Sequence, residues 1–449
     1  MTQTVHCMEI LRLSVPLIFS RLGDMIGSLI FFSFIGHYIV DSLSAASFAL
    51  ASLSFMTVVG IGFFSNMLIT IAGATDLNTD KIKSEIAASF NLAIFLGLII
   101  LCIIFLIGKF SSKIETKPSS PDDFKALLTL SISIPAVYLQ ITIFNFYNGI
   151  RKTQYELTFT WLLNSALALT CIVYTNIDTD INLSDFIITY VCLRYLFSFA
   201  ALAFFRITIQ KHLNNFSARK KLSKDDYIKY MICGLPMALC FGSESLLFLL
   251  LSLISKHIND ISLSAYQASI HAASIIYMIS IGIGNAAGIM TARHYKTKDF
   301  EAISKTHSQA IRLGLFILTP ILTACFLLNE NISLIYTSDT ATRILIEKNI
   351  IISIPFLMFE FIYVVTRLTL RGMNDLWTPT VMTILTLNVF GVFSSVTLLS
   401  LYEHTVHSVF IALVACSFIL MLLLSWRLRH TLHHAKTNTK ENLCRPKLP

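Results

Sequence analysis

Glu244 lies in Pro236-Met-Ala-Leu-Cys-Phe-Gly-Ser-Glu244, an apolar run with no basic residue within two turns. A charge deep in such a run costs at least about 2.5–3.5 kcal/mol on insertion scales, so it is rare unless paired, wetted or used. A carboxyl group there either exchanges a proton or holds a monovalent cation, or stays protonated and hydrogen-bonded across helices. Asp24 follows Arg21 by three residues, which puts both on one helical face. It is either a second coupling acid or half of a self-contained ion pair. Gln267, His271 and Asn285 recur at near-integral turns and form a polar stripe. His271 is a proton relay or a hydrogen-bonded core histidine. Glu360, Arg367 and Arg371, spaced by seven and four, share another face. Asp375 follows them, either as an acid at membrane depth or as a loop residue capping the helix after Trp377-Thr-Pro379.

The elements that must position these residues are bilayer spans. The chain is 55% hydrophobic and 13% charged, with a mean hydropathy of +0.71. Soluble chains average about 25% charged residues, and half of that coats no set of soluble domains of this length. A soluble enzyme, a nucleic-acid-binding protein and a disordered scaffold are all poor readings. Apolar runs predict twelve spans near 12–36, 43–72, 86–108, 126–149, 156–175 and 183–206, then 228–254, 264–291, 309–328, 350–371, 378–400 and 405–427. The first run lacks a small-residue cleavage site and reads as a span, not a signal peptide. The nine cysteines sit singly without metal spacing and read as apolar filler. No metal or other cofactor is expected.

The predicted fold is therefore all-α and membrane-embedded. It comprises an N-terminal six-helix lobe (1–209), a cytoplasmic linker (210–226), a C-terminal six-helix lobe (227–429) and a cytoplasmic tail (430–449) with little order expected. With the N-terminus cytoplasmic, 24 Lys and Arg fall inside and seven outside, with Arg21, Arg194 and Arg367 at membrane depth. That bias places both termini in the cytoplasm and explains the net charge of +8 as topology, with membrane lipid as the partner it implies and no nucleic acid. An offset of 220 residues maps Pro16 onto Pro236, Asp24 onto Glu244, Ser42–Ala45 onto Ser262–Ala265, Pro135 onto Pro355 and Arg151 onto Arg371. Six helices per half is even, so the repeat is parallel, with a pseudo-twofold axis along the membrane normal. Gly60-Ile-Gly62 and Gly282-Ile-Gly284 read as close-packing positions within spans.

Together these features resemble the multidrug and toxic compound extrusion (MATE) family of secondary antiporters. The local matches are Leu235-Pro236 with Glu244 eight residues on, and Leu370-Arg371-Gly372 with Asp375. Ala265-Tyr266-Gln267 is similar to the family's Ala-His-Gln, and Gly149-Ile-Arg151-Lys-Thr to the end of its fourth span. The resemblance implies coupling acids at Glu244 and Asp375. The first-span aspartate of many members falls here near Phe31, which cannot ionise, so Asp24 has taken that role or coupling runs through the C-terminal lobe alone.

The resemblance implies a monomeric efflux transporter in a bacterial inner membrane, exchanging protons or sodium for amphipathic organic cations by rocking of two lobes. Glu244, Asp24, Asp375 and His271 are the expected coupling residues. Gln267, Asn285, Tyr266, Tyr138 and Glu360 are the expected cavity residues, the tyrosine rings offering cation–π surface. This scheme requires a carboxylate at Glu244 that no arginine holds. A lipid-linked oligosaccharide or lipid flippase of the same superfamily is the rival, since bare arginines at membrane depth suit a phosphate. A membrane-embedded enzyme is disfavoured by the lack of a nucleophile motif or catalytic carboxylate pair in the loops.

Overall fold

The computed structural model describes residues 2–39, 43–74, 76–77, 79–111, 121–176, 182–209, 223–337, 339–401 and 405–444. Ser42 of the repeat, residues 210–222 of the linker and 445–449 of the tail lie outside them. Helices run α1 Thr2–Tyr38, α2 Leu43–Ala72, α3 Asp80–Ser111, α4 Pro121–Ser131, α5 Ile134–Gly149, α6 Gln154–Asn176 and α7 Leu183–Ile209. They continue as α8 Lys224–Ile258, α9 Asp260–Lys296, α10 Phe300–Leu327, α11 Asn329–Tyr336, α12 Thr340–Gly372, α13 Trp377–Thr383, α14 Val392–Leu401 and α15 His407–Cys444. Among the described residues there is no strand. Among the described residues, eleven helical segments are long and apolar enough to cross a membrane, or twelve with the bent pair α4–α5 as one.

That bend is where the expected fourth span, 126–149, breaks: α4 and α5 meet at 41°. Pro135 has no N–H for the Ser131 carbonyl four residues back, and the Ser131 and Ser133 hydroxyls turn to the Leu128 and Leu130 carbonyls, each at 2.7 Å. The eleventh span is also irregular, with a π-helical stretch, Ile384–Gly391, between α13 and α14. The tail corrects the expectation of little order. Residues 430–444 continue α15, since no Gly or Pro interrupts them before Pro446.

Two compact units form, and their limits differ from the expected lobes. One comprises Phe19–Gly242; the other comprises Met1–Ile18 with Ser243–Pro449. The changeover falls inside α1 and α8, a few residues after the internal prolines Pro16 and Pro236. Sequence alone divides the lobes at the polar linker, whereas packing assigns each crossing helix in two parts. In the first unit, α2 packs on α4 and α5, and α3 on α5. Its core gathers Phe31, Phe34, Phe64, Tyr138, Phe186 and Tyr190 around stacked and edge-on rings. In the second unit α12 packs most extensively against α9 and α15.

Helix starts follow local rules. Ser223 and Asp226 form a reciprocal capping box at α8: the Ser223 N–H donates to Asp226 Oδ2 at 2.9 Å, and the Asp226 N–H to Ser223 Oγ at 3.2 Å. Asn259, Asp299 and Asp339 cap α9, α10 and α12. The Thr342 hydroxyl and backbone N–H, both donating to Asp339, hold that carboxyl below its ordinary value.

The repeat is visible in a shared turn, with a shifted register. Arg151 has φ 63°, and the next N–H, of Lys152, returns to the Tyr147 carbonyl at 2.8 Å. Asn374 has φ 65°, and the Asp375 N–H returns to the Leu370 carbonyl at 3.1 Å. Arg151 thus corresponds to Asn374, 223 residues on, not to Arg371 as the constant offset of 220 implied. About one helical turn has been added in α12 between Pro355 and its end.

Gly62 shows why its close-packing motif needs glycine. A Cβ there would lie 2.5 Å from the Met237 carbonyl oxygen and 2.9 Å from Ala238 Cα, which are backbone atoms with no rotamer to escape into. Gly62→Ala gains roughly 1 kcal/mol of helix propensity but meets an overpacking cost of about 1–3 kcal/mol. The expected net result is a lower melting temperature for the purified variant; an unchanged or raised value would show that α8 can yield.

Candidate functional site

The second unit holds a buried charge cluster built by three helices. Glu244 projects from α8, while Arg367 comes from α12, 123 residues later. Arg367 Nη1 donates to Glu244 Oε1 at 2.6 Å and Nη2 to Oε2 at 3.1 Å, a bidentate pair. Arg367 is only 1% exposed and the Glu244 side chain 9%. Tyr277 of α9 donates to Glu244 Oε2 at 3.4 Å. The Arg367 guanidinium also lies 5.7 Å from the centroid of the Tyr363 ring. This corrects the central expectation: the cation at Glu244 is the protein's own guanidinium. A scheme in which a bare Glu244 carboxylate is contested by ion and cargo therefore falls. The pairing was hidden because i, i+4 reasoning sees only neighbours on one helix, and Glu244 has none.

Glu360 completes the cluster from one face of α12, three residues before Tyr363 and seven before Arg367. It is buried and electrostatically coupled to both Glu244 and Arg367. Its Oε2 is buried with no hydrogen-bond partner. Two carboxylates therefore surround one guanidinium, and Glu244 already takes both of its terminal nitrogens.

The first unit holds the repeat mate, arranged differently. Arg21 Nη1 reaches Asp24 Oδ2 at 3.2 Å, as the spacing of three predicts, while its Nη2 reaches Glu156 Oε1 of α6 at 2.9 Å. Glu156 is 3% exposed against 48% for the Asp24 side chain, and its Oε2 accepts from Asn148 Nδ2 at 2.5 Å. Among the described residues of this unit, Glu156 and not Asp24 is the acid with a buried side chain. Its signal in the sequence was weak: it begins the expected fifth span, where an acid reads as a first-turn residue. Arg194 donates twice to the Tyr190 hydroxyl, at 2.9 and 2.6 Å, and stacks over that ring.

The other expected site residues are placed singly. Asp375 caps no helix: α13 starts at an N-cap Leu376 with no side-chain bond. Asp375 instead accepts from Arg427 Nε of α15 at 2.7 Å. His271 and Gln267 are exposed on α9, bonded to the Tyr336 hydroxyl at 2.9 Å and Ser252 Oγ at 2.8 Å. Tyr266 and Tyr138 are core residues whose hydroxyls donate to the Phe248 and Met56 carbonyls at 3.0 and 2.9 Å. Both rings are buried too deeply to line a cavity as free surfaces. Asn285 is half-buried further along α9.

Bundles of membrane-length helices define the class: an all-helical, multi-pass membrane protein. Residues 236–397 match the MatE family model. A probable multidrug resistance protein NorM of Buchnera aphidicola subsp. Baizongia pistaciae is 24% identical over 394 residues, 82% of this chain and 84% of that protein. A MATE protein crystallised in complex with MaL6 matches with a TM-score of 0.87 at 13% identity, over 96% of this chain and 97% of the other. A MOP superfamily transporter from Pyrococcus furiosus, whose binding pocket of reverse polarity suggests a different function, matches with 0.82 at 13% identity over the same shares. These matches bear out the resemblance to the MATE family read from the sequence: the family model matches the C-terminal part of the chain, and the likeness to NorM proteins extends over most of its length.

Proposed function

We propose that this chain is a secondary active exporter of small amphipathic organic cations, driven by protons. It sits with both termini cytoplasmic in a bacterial inner membrane, acts as a monomer and works by alternate opening of its two units. The relatives' multidrug resistance names support the cargo class. The observation that carries the coupling is Glu360, a second buried carboxyl group beside a guanidinium whose two terminal nitrogens Glu244 already engages. A bare carboxylate there, with one oxygen unbonded, is expensive, and a proton neutralises it.

The cycle runs through this exchange. Glu360 protonated leaves the Glu244–Arg367 pair closed and the cluster neutral. Loss of the proton leaves one net negative charge, which competes for Arg367, loosens the hold of α12 on α8 and favours an organic cation. Proton and cargo thus bind different states, which is the thermodynamic requirement for exchange. Arg21 and Arg367 each have carboxylate partners, and Arg194 is engaged by Tyr190. That occupation disfavours the flippase reading, which needs arginines open to a phosphate.

The test is efflux of a fluorescent cation from proteoliposomes under an imposed pH or sodium gradient. Glu360→Gln, which fixes the cluster in its neutral state, is expected to bind the cation weakly and to lose pH-driven exchange. Undiminished exchange in that variant, or drive by sodium alone, would overturn the reading.

A further inference from the structure

The continuation of α15 beyond the last apolar run carries three histidines that the transport reading leaves unused. His430 and His434, four residues apart, lie one above the other on the helix, and both are exposed. Their Nε2 atoms are 3.1 Å apart and their ring centroids 4.4 Å. His430 is held by stacking on Trp426, one turn earlier, at 5.5 Å and 29°.

That nitrogen separation has a specific meaning. Two imidazole nitrogens each about 2.0–2.1 Å from one ion lie ~2.9 Å apart at a right angle and ~3.4 Å apart at the tetrahedral angle. The observed 3.1 Å falls between these limits, so the separation already matches that of two ligands on one metal ion. Both residues are exposed, and neutral imidazole is a ligand that suits copper, nickel and zinc. His433 is not part of the pair: its ring stands 6.2 Å from that of His434, at 89°. Of the nearby cations, Arg427 is already paired with Asp375, and Arg429 points from the next position of the helix.

We propose that His430 and His434 form a two-histidine site for a divalent transition-metal ion, with water filling the remaining positions. Among the described residues no group of three or more such side chains converges to hold a metal, so this is an open half-site, not a closed structural one. The ion closes one turn of α15 at the end of its membrane-length segment, His407–Ala435. Occupancy therefore stabilises the helical form of the extension over its unfolded form, by binding the one better than the other. Without an ion, the same 3.1 Å contact is an N–H···N hydrogen bond between neutral rings, which sets the competing explanation.

Trp426 supplies the readout, because a paramagnetic ion bound at His430 sits against the ring stacked on it. The untagged, full-length protein in detergent is titrated with Cu(II) and separately with Ni(II), following tryptophan fluorescence. Saturable quenching is expected, reversed by chelator, lost in His434→Ala and in His430→Ala, and retained in His433→Ala. Limited proteolysis after Lys436 and Lys440 is expected to slow with Ni(II) in the wild-type protein and not in His434→Ala. Quenching that persists in both single alanine variants, or that disappears equally in His433→Ala, overturns the site. Cation efflux is expected to be the same in His434→Ala as in wild type, so failure of this proposal leaves the transport reading standing.

Discussion

Arg367→Gln is expected to lower the stability of the protein by about 3–5 kcal/mol, the usual cost of removing one partner from a buried pair. The reason is geometric. Both terminal nitrogens of Arg367 are spent on Glu244, and both side chains are almost wholly covered. Glutamine offers one NH₂ in place of that fork, so Glu244 keeps at most part of its hydrogen bonding and none of its counter-charge. Glu360 makes matters worse, since two carboxyl groups then share a site with no cation. The double variant Glu244→Gln with Arg367→Gln removes both charges together and is expected to be markedly less harmful than Arg367→Gln alone. Thermal unfolding of the two purified variants in detergent, beside Glu244→Gln, completes the cycle. Additive losses would show that the pair carries no coupling energy, and an Arg367→Gln protein as stable as wild type would dissolve the cluster as described.

What the sequence shows and what it hides divides along one physical line. Spans are legible because about 20 apolar residues are needed to cross a bilayer, and runs of that length are local facts. Glu244, Arg367 and Arg21 are legible as charges at membrane depth for the same reason. Their partners are not. Glu244 and Arg367 are 123 residues apart, as are no two positions that helix periodicity can compare, and Arg21 chooses Glu156 across 135 residues while also holding Asp24. The family pattern directed attention to Asp375, whose backbone instead closes a turn and whose carboxylate meets Arg427. Tyr266 and Tyr138 show a related limit: an aromatic residue within a span reads equally as cavity lining or as core. Only the hydroxyl bonds to the Phe248 and Met56 carbonyls assign both to packing. The register shift from 220 to 223 arises because matching residue types does not register an added helical turn, whereas a left-handed turn residue marks the position directly.

Glu156→Ala should be far more damaging than Asp24→Asn, although sequence symmetry with Glu244 singles out Asp24. Glu156 uses one oxygen for Arg21 and the other for Asn148, and it is buried. Its truncation strands the arginine's inner nitrogen and the Asn148 amide at once, a loss of about 3 kcal/mol or more. Asp24 contacts Arg21 through one nitrogen while Glu156 still neutralises that arginine, so Asp24→Asn is expected to cost less than Glu156→Ala. Glu156→Gln distinguishes charge from shape: it can still accept from Asn148 but cannot neutralise Arg21, and it should fall between the two. Melting temperatures of the three variants give the order directly. If Asp24→Asn proved the most destabilised, or abolished pH-driven efflux while Glu156→Gln did not, the first unit would couple through Asp24 after all. With the order as argued, Arg21 and Glu156 brace α1 against α6, and Glu360 in the other unit is left as the buried acid that shares Arg367 with Glu244.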